Sequence, residues 1–447
     1  MNRSLDQLRE LAARAVKITP ADDAEAVVAS TSSALTRFAG NRIHQNVAET
    51  DTELTIRAVL GTKTGVATTN RFDDEALGRC AVAAVEAARS APEDPDFPGL
   101  PTAARIVQPP RIATLTLAYD AARRAAAARS IIEQSATRGL VAAGTVAMND
   151  IGVAIANRHD VDAAQETAEI RATVLSTGSH GGSGWASFVG RDAAAFAPVA
   201  LGDEAATMAE RTADPTDLDP GTYTVVLAPD AVADIIDFLG FLGFGAKAFA
   251  EGGSFLASAV GTQVFDERIS IIDDARIAET TGLLFDFEGQ PKRHTPLVLD
   301  GVAGSPVTDS YYAAKLSMSN TGHALPAPNP YGPIPLNLAM RAGDATVDEM
   351  IASVERGVYV SRFHYVNVED PMTMLLTGMT RDGTLLIENG RLTRPVRNLR
   401  FTQSVLEAFN NVDSIGRDRR LIGPAEGGAI LAPAMLLEKW EFTGQTG

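Results

Sequence analysis

A zinc protease holds its metal with two histidines on one helical face and uses a nearby acid as general base, so histidine spacing is the first indicator of such a site. The chain has six, and they are His44, His159, His180, His294, His323 and His364. No two of them are spaced closely enough to share one face of a helix. The sequence therefore predicts no zinc-binding helix, and each histidine alone is better explained as a surface or core residue.

Other catalytic patterns are equally weak. No Gly-x-Ser-x-Gly elbow lies between a predicted strand and a predicted helix. Cys80 is the only cysteine, and its place in a predicted helix favours a buried thiol over a nucleophile. The acids Asp273, Asp274, Asp286 and Glu288 lie close together in sequence. Turn and strand-edge roles explain them better than metal binding or acid–base chemistry.

Two histidines remain as site candidates in the C-terminal half. His323 ends the polar segment 319–323 and is predicted to lie in a loop. His364 lies in the segment 362–365, Arg-Phe-His-Tyr, and is predicted to lie on a strand. We take both as candidate substrate-cleft residues.

The segment Asp230–Leu256 is the element around which the C-terminal half is predicted to fold. Apolar residues repeat at helical spacing on nearly all sides, which indicates a helix buried between layers of protein. We predict that Pro229 precedes the helix, that Asp230 caps it and that a glycine turn at 251–254 ends it.

Glycines are the unusual feature of this predicted helix. Gly240, Gly243 and Gly245 each cost about 1 kcal/mol relative to alanine in a helix interior, so something must approach the backbone closely. Tight packing against a strand or helix is one explanation, and a helix that flanks a cleft is the other. On the second explanation Gly243, Gly245 and Ser254 are candidate substrate-cleft residues.

The length of 447 residues predicts two domains. We place the first at residues 1–212, with a proline-rich connecting stretch at 91–110, and the second at 221–447. The segment 213–220 between them has two prolines and three acids and no apolar periodicity. Helical and strand patterns mix in the first domain, which predicts an α/β domain with an antiparallel sheet.

The second domain shows many short strand patterns separated by Gly, Asp and Pro, with helices predicted at 347–355 and 402–410. This pattern predicts a mainly antiparallel β domain, folded as a barrel or sandwich around the buried glycine-rich helix. The fold class predicted for the whole chain is α+β.

Charge and composition exclude several function classes. The formal net charge of −17 disfavours binding to nucleic acid or to an acidic membrane surface. A single cysteine suits a reducing compartment, and the N-terminal segment lacks the apolar core of a signal peptide. The uncharged run of this apolar predicted helix, Phe238–Ala246, is far shorter than a membrane span. We therefore expect a cytoplasmic protein.

Several segments together resemble the TldD/PmbA (TldE) family, the so-called modulators of DNA gyrase, peptidase family U62. The matching segments are Phe38–Asn46, Ser254–Leu256, Ile271–Asp274, Phe285–Pro291, Asp309–Tyr311, Ser319–Gly322, Gly357–Val360, Leu386–Gly390 and Pro395–Val396. In order, they cover nearly the whole chain. The resemblance implies a two-domain α+β fold and a cytoplasmic, heteromeric protease.

In that family the TldD-type subunit carries a His-Glu-x-x-x-His helix and a C-terminal cysteine that bind zinc, and the TldE or PmbA subunit lacks them. Counting back from Ser254 places the motif at about residues 237–242, which read Asp-Phe-Leu-Gly-Phe-Leu here. No register supplies a histidine, and 414–447 contains no cysteine. The resemblance therefore implies the TldE/PmbA type, with no catalytic residue, metal ligand or cofactor in this chain and zinc in a TldD-type partner.

The resulting hypothesis is a non-catalytic subunit that holds unfolded peptide while a TldD-type partner cleaves it. We expect a homodimer when the chain is alone, formed mainly through residues 221–447. Two alternatives remain open. One is an independently active hydrolase that uses His323, His364, Asp309 and Glu388. The other is a regulatory binding protein without catalysis.

Overall fold

The structure is a computed structural model that describes residues 3–107, 109, 111–423 and 428–445. Its first part is one antiparallel sheet of six strands in the order β3-β2-β1-β4-β5-β6. The strands are β1 (Asp23–Ala39), β2 (Arg42–Leu60), β3 (Lys63–Thr69), β4 (Val141–Asn157), β5 (Asp162–Thr177) and β6 (Ser183–Gly190).

Five helices accompany this sheet: α1 (Leu5–Ile18), α2 (Asp74–Ser90), α3 (Thr114–Leu117), α4 (Ala121–Ala136) and α5 (Pro198–Arg211). Leu8 of α1 and Leu77 of α2 pack with Ala24 and Ala26 of β1 in one core. Cys80 is buried in the same core, as predicted. These contacts cover one face of β1 and β2 and leave the other face for the second part of the chain.

The second part is built on an eleven-stranded sheet. Its strands are β7 (Gly221–Leu227), β8 (Ile271–Asp273), β9 (Thr295–Leu299), β10 (Val302–Ala303), β11 (Asn337–Met340), β12 (Arg356–Asp370), β13 (Leu375–Glu388), β14 (Arg391–Pro395), β15 (Leu399–Ser404), β16 (Val412–Ile422) and β17 (Ala429–Gln445). Five of them, β7-β12-β13-β15-β17, close into a barrel because β17 also pairs with β7. Most pairings are antiparallel, so the predicted α+β class and the barrel are confirmed.

The helices of this part are α6 (Pro229–Phe238), α7 (Ala246–Ala250), α8 (Ser310–Lys315), α9 (Val347–Ser353) and α10 (Val405–Ala408). Ile235, Ile236 and Leu239 are fully buried in the main core, so the predicted burial is correct for α6, whereas Phe241 in the glycine-rich turn is 47% exposed. In the described ranges, no helix has both the length and the apolar character needed to cross a membrane.

Three local predictions are wrong. The segment 230–256 is not one helix, because α6 continues into a π-helical turn at Leu239–Gly243 and the chain then breaks before α7. Asp230 is not the cap, since Ala228 occupies that position and Pro229 begins the helix. The helix predicted at 402–410 is mostly the end of β15 followed by the short α10.

The break has a tertiary cause. Gly245 forms a parallel bridge with Val307, whose amide donates to the carbonyl of Phe244 at 2.8 Å. The amide of Ala246 donates to the carbonyl of Val307 at 3.0 Å. These strand-like bonds replace helical ones, so the chain turns and α7 takes a new direction.

Candidate functional site

A cavity of about 600 Å3 lies between the first sheet and the second part of the chain. We call it the interdomain cavity. The first sheet contributes β1, β2 and β3, and the second part contributes α7, α8 and the loop after His323. Its main lining residues are Glu25, Arg57, Val66, Lys247, Phe287, Glu288, Asp309, Tyr311, Tyr312, Leu325, Pro328 and Asn329.

An ion triad forms the floor of this cavity. Glu25 on β1 and Arg57 on β2 are directly opposite in the antiparallel register. Arg57 Nη2 lies 2.8 Å from Glu25 Oε1 and 3.3 Å from Glu288 Oε1. The side chains of Glu25 and Glu288 are only 3% and 10% exposed, so this arginine joins the two parts of the chain in a poorly solvated place.

The triad leaves polar atoms without partners. Among the described residues, neither Glu25 Oε2 nor Arg57 Nε has a hydrogen-bond partner, and both atoms are buried. Burial, opposed by Arg57 and reinforced by Glu288, raises the pKa of Glu25 from 4.5 to about 7. The carboxyl of Glu25 is therefore shared between its charged and neutral forms near neutral pH.

Glu288 is held in place by a turn that the sequence correctly indicated. Asp286 Oδ1 accepts the amides of Glu288 at 3.0 Å and Gln290 at 2.9 Å, and its Oδ2 accepts the amide of Ala324 at 3.0 Å. Burial and the neighbouring Glu288 raise the pKa of Asp286 to about 7. Glu288 itself lines the cavity, which the sequence interpretation of these acids as turn residues did not anticipate.

Asp309 and Lys247 also line the cavity. Asp309 caps α8 by accepting the amide of Tyr312 at 2.8 Å, and burial raises the pKa of its carboxyl to about 6. Lys247 of α7 donates to the carbonyl of Pro330 at 2.6 Å. The rings of Tyr311 and Tyr312 meet edge to face at 5.1 Å beside them. The site thus combines three carboxyls with two cations and an aromatic wall.

The candidate residues Gly243, Gly245 and Ser254 lie behind α7. Ser254 Oγ donates to the carbonyl of Gly243 at 2.5 Å and is fully buried. A methyl group added at Gly245 would lie 2.7 Å from the carbonyl oxygen of Pro333, in the loop that borders the cavity. None of the three lines the cavity as far as the structure describes its walls.

His323 is enclosed in the protein. Its side chain is 0% exposed, with Nε2 3.0 Å from Asp273 Oδ1 and Nδ1 2.9 Å from Thr321 Oγ1. Burial alone would raise the pKa of Asp273, but His323, Lys292 and the amide of Asn337 together outweigh that effect and hold it at about 2. This pair fastens the loop before Ala324 to β8, and in this position the imidazole does not face the cavity.

His364 lies elsewhere, on β12 opposite Met379, and its ring lies 4.3 Å from that of Tyr365. At least three strands lie between β12 and β8 in the sheet, so the two candidate histidines belong to different places. Glu388 accepts from Thr393 Oγ1 at 2.8 Å at the far end of β13. The residues of the independent-hydrolase alternative are therefore not gathered into one site.

The donors needed for the family's zinc ion are not gathered either. Among the described residues, no group of three His, Cys, Asp or Glu side chains is arranged to hold a metal. Along α6, Asp230 bonds Ser187 and Arg420, and Asp234 accepts the amide of Phe363 at 3.0 Å. Carboxylates occupied by an amide, a hydroxyl and a guanidinium do not fit zinc, which favours histidine and cysteine here.

Comparison with known proteins gives consistent matches. Residues 220–444 match the model of the PmbA/TldA metallopeptidase C-terminal domain, and residues 24–88 match that of PmbA/TldA metallopeptidase domain 1. A metalloprotease of Methanothermobacter thermautotrophicus is 28% identical over 207 residues, covering 45% of this chain and 44% of that protein. A TldD homologue of Haemophilus influenzae is 28% identical over 165 residues, covering 36% and 34%. The chain thus spans less than half the length of these curated relatives.

A solved structure matches over more of the chain. The structure of TldE from Thermococcus kodakarensis superimposes with a TM-score of 0.87 at 17% identity. The superposition covers 97% of this chain and 99% of that one. At 17% identity, this similarity shows a shared fold and nothing more.

Proposed function

Because the chain belongs to the PmbA/TldD metallopeptidase family, we propose that it is the non-catalytic, TldE-type subunit of a two-chain metalloprotease. In this proposal a TldD-type partner supplies zinc and the activated water, and this chain holds part of an unfolded peptide. The assembly would work in the cytoplasm, without contact to nucleic acid or membrane.

One observation carries the proposal. The segment that resembles the sequence around the family's metal helix has neither histidine nor cysteine, and its α6 carboxylates are bound to other groups. A metalloprotease needs a metal to lower the pKa of its attacking water. A chain without a matching donor set can take part in such a reaction only beside one that has it.

The interdomain cavity supports a role in holding peptide. Its polar floor and its apolar wall of Val66, Phe287, Leu325 and Pro328 offer both kinds of contact that a polypeptide makes. The alternative of an independent hydrolase has weaker support. His323 is enclosed beside Asp273, and His364 lies on β12, away from that pair.

The metal content of the purified chain is the first prediction. We expect no stoichiometric zinc, because no donor set in the described residues fits it. Elemental analysis after dialysis measures this directly, and His323→Ala and His364→Ala variants serve as comparisons. About one tightly held zinc per chain that disappears in either variant would contradict the subunit assignment.

Assembly is the second prediction. We expect a dimer when the chain is alone and a mixed assembly with a TldD-type chain, mainly through residues 221–447. The expected interface buries more than about 1,200 Å2 in total, the size of a stable protein contact. Size-exclusion chromatography with light scattering measures it. If the chain is a monomer at micromolar concentration and also fails to bind a co-expressed TldD-type chain, this prediction is refuted.

A further inference from the structure

We propose that the interdomain cavity is a binding site for a positively charged nitrogen of a peptide, either the N-terminal ammonium or a lysine side chain, recognised by Glu25 and Asp309. This inference rests on the proposed function, since it names the feature of the peptide that this chain holds.

The first argument is the unsatisfied floor. Glu25 is 2% exposed and its Oε2 has no hydrogen-bond partner among the described residues, although buried carboxylate oxygens are nearly always bonded. Asp309 is 9% exposed and uses Oδ1 to cap α8. A donor that enters the cavity and carries positive charge would supply the partner that Glu25 Oε2 lacks, and Asp309 would add a second negative charge beside it.

The second argument is the charge balance. The cavity is lined by three carboxyls, those of Glu25, Glu288 and Asp309, and by two cations. Arg57 is already divided between Glu25 and Glu288, and Lys247 is directed to the carbonyl of Pro330. The local excess of acid favours a cationic ligand and disfavours the carboxylate end of a peptide.

The wall suits the rest of such a ligand. Tyr311 and Tyr312 line the cavity, and Lys315 Nζ lies 5.5 Å from the ring centroid of Tyr311. Aromatic faces attract cations by their quadrupole, which would favour entry of an ammonium group. Phe287 and Leu325 then offer apolar surface to the neighbouring side chains of the peptide.

Binding should be linked to protons. A bound cation stabilises the ionised carboxyls, so Glu25 and Asp309, whose pKa values are about 7 and about 6, should release protons on binding. The surrounding charges are Asp23 and Arg57 on the strands, Glu288 in the turn and Lys247 on α7. Affinity should therefore rise between about pH 6 and about pH 8.

Calorimetric titration of the full-length chain with three hexapeptides tests the proposed cation site. All three have an amidated C-terminus and, apart from the lysine of the third, only uncharged side chains. The first has a free N-terminus, the second is N-acetylated, and the third is N-acetylated but contains one lysine. The first or the third should bind, and the second should not. Binding of the third would assign the lysine side chain as a source of the cation, and its failure to bind would assign the N-terminal ammonium alone.

The variants test the residues. Glu25→Gln and Asp309→Asn keep the size of the side chain, and asparagine still caps a helix. Each should weaken binding at least about tenfold and reduce proton release. Glu53→Gln, an exposed carboxylate on β2, is the matched control and should bind like the wild type.

Equal binding of the first two peptides, no binding of any peptide, or wild-type affinity in both cavity variants would overturn the inference. Thermal melting of each variant separates lost binding from lost folding. Because these titrations need no partner and no hydrolysis, failure here is distinct from failure of the subunit assignment, which is measured by catalysis in the mixed assembly.

Discussion

An Arg57→Met variant should have a free energy of unfolding about 3–5 kcal/mol below that of the wild type near pH 8. Methionine has a similar length but no charge, so Glu25 and Glu288 would face each other in a poorly solvated place without their shared cation. Removing one partner of a buried ion pair is costly because the remaining charge stays buried. Chemical denaturation followed by circular dichroism measures the difference.

The loss should be smaller near pH 5.5. A raised carboxyl pKa means that the folded chain holds a proton which the unfolded chain would release, so stability falls as pH rises through that window. For Glu25 in the wild type, stability already falls between its ordinary pKa of 4.5 and its folded-state pKa of about 7. Without Arg57 the pKa of Glu25 rises further, and protonation at low pH relieves the repulsion between the carboxyls.

Two comparisons make this prediction specific. Adding Glu25→Gln and Glu288→Gln to Arg57→Met should restore most of the lost stability, because neutral amides replace the unpaired carboxylates. Arg37→Met removes an exposed arginine from β1 and should change stability by less than about 0.5 kcal/mol. A loss in Arg57→Met below about 1 kcal/mol at both pH values would show that the triad does not hold the two parts together.

A Gly243→Leu variant should lose about 1–3 kcal/mol of unfolding free energy, or fail to assemble. A carbon added at Gly243 would lie 2.6 Å from Cε1 of Phe255, which is itself in the main core. The ring has to move, and the π-helical turn and the bond from Ser254 to the Gly243 carbonyl move with it.

Gly78→Leu is the matched control for this substitution. Gly78 lies in α2, where an added carbon would meet nothing within 4 Å. Leucine is also the better helix former, so this variant should be unchanged or slightly more stable. Equal melting temperatures for Gly243→Leu and the wild type would mean that the glycine-rich segment is not tightly packed.

The sequence allowed the fold to be predicted in outline because its signals are local. Turn residues between short apolar runs indicated the barrel, and the apolar periodicity of 230–239 indicated a buried helix. The break after Gly243 was not predictable, because its cause is the pairing of Gly245 with Val307 and the closeness of Pro333. Those partners come from distant parts of the chain.

The ion triad was missed for a related reason. Glu25 alternates with Ala24 and Ala26, which face the first core, so a strand pattern places it on the solvent side. Here the second part of the chain covers that side. It brings Glu288, which is 231 positions from Arg57 in sequence, into contact with Arg57. His323 shows the opposite error, since a residue type suited to chemistry is enclosed beside Asp273.

Peptide hydrolysis by the mixed assembly is the most direct test of the subunit assignment. A fluorogenic unfolded peptide should be cleaved when this chain and a TldD-type chain are combined, and a chelator should abolish cleavage. Substituting a metal-binding histidine of the partner should have the same effect, whereas His364→Ala in this chain should retain zinc-dependent activity. Chelator-sensitive hydrolysis by this chain alone, lost in His364→Ala, would contradict the account.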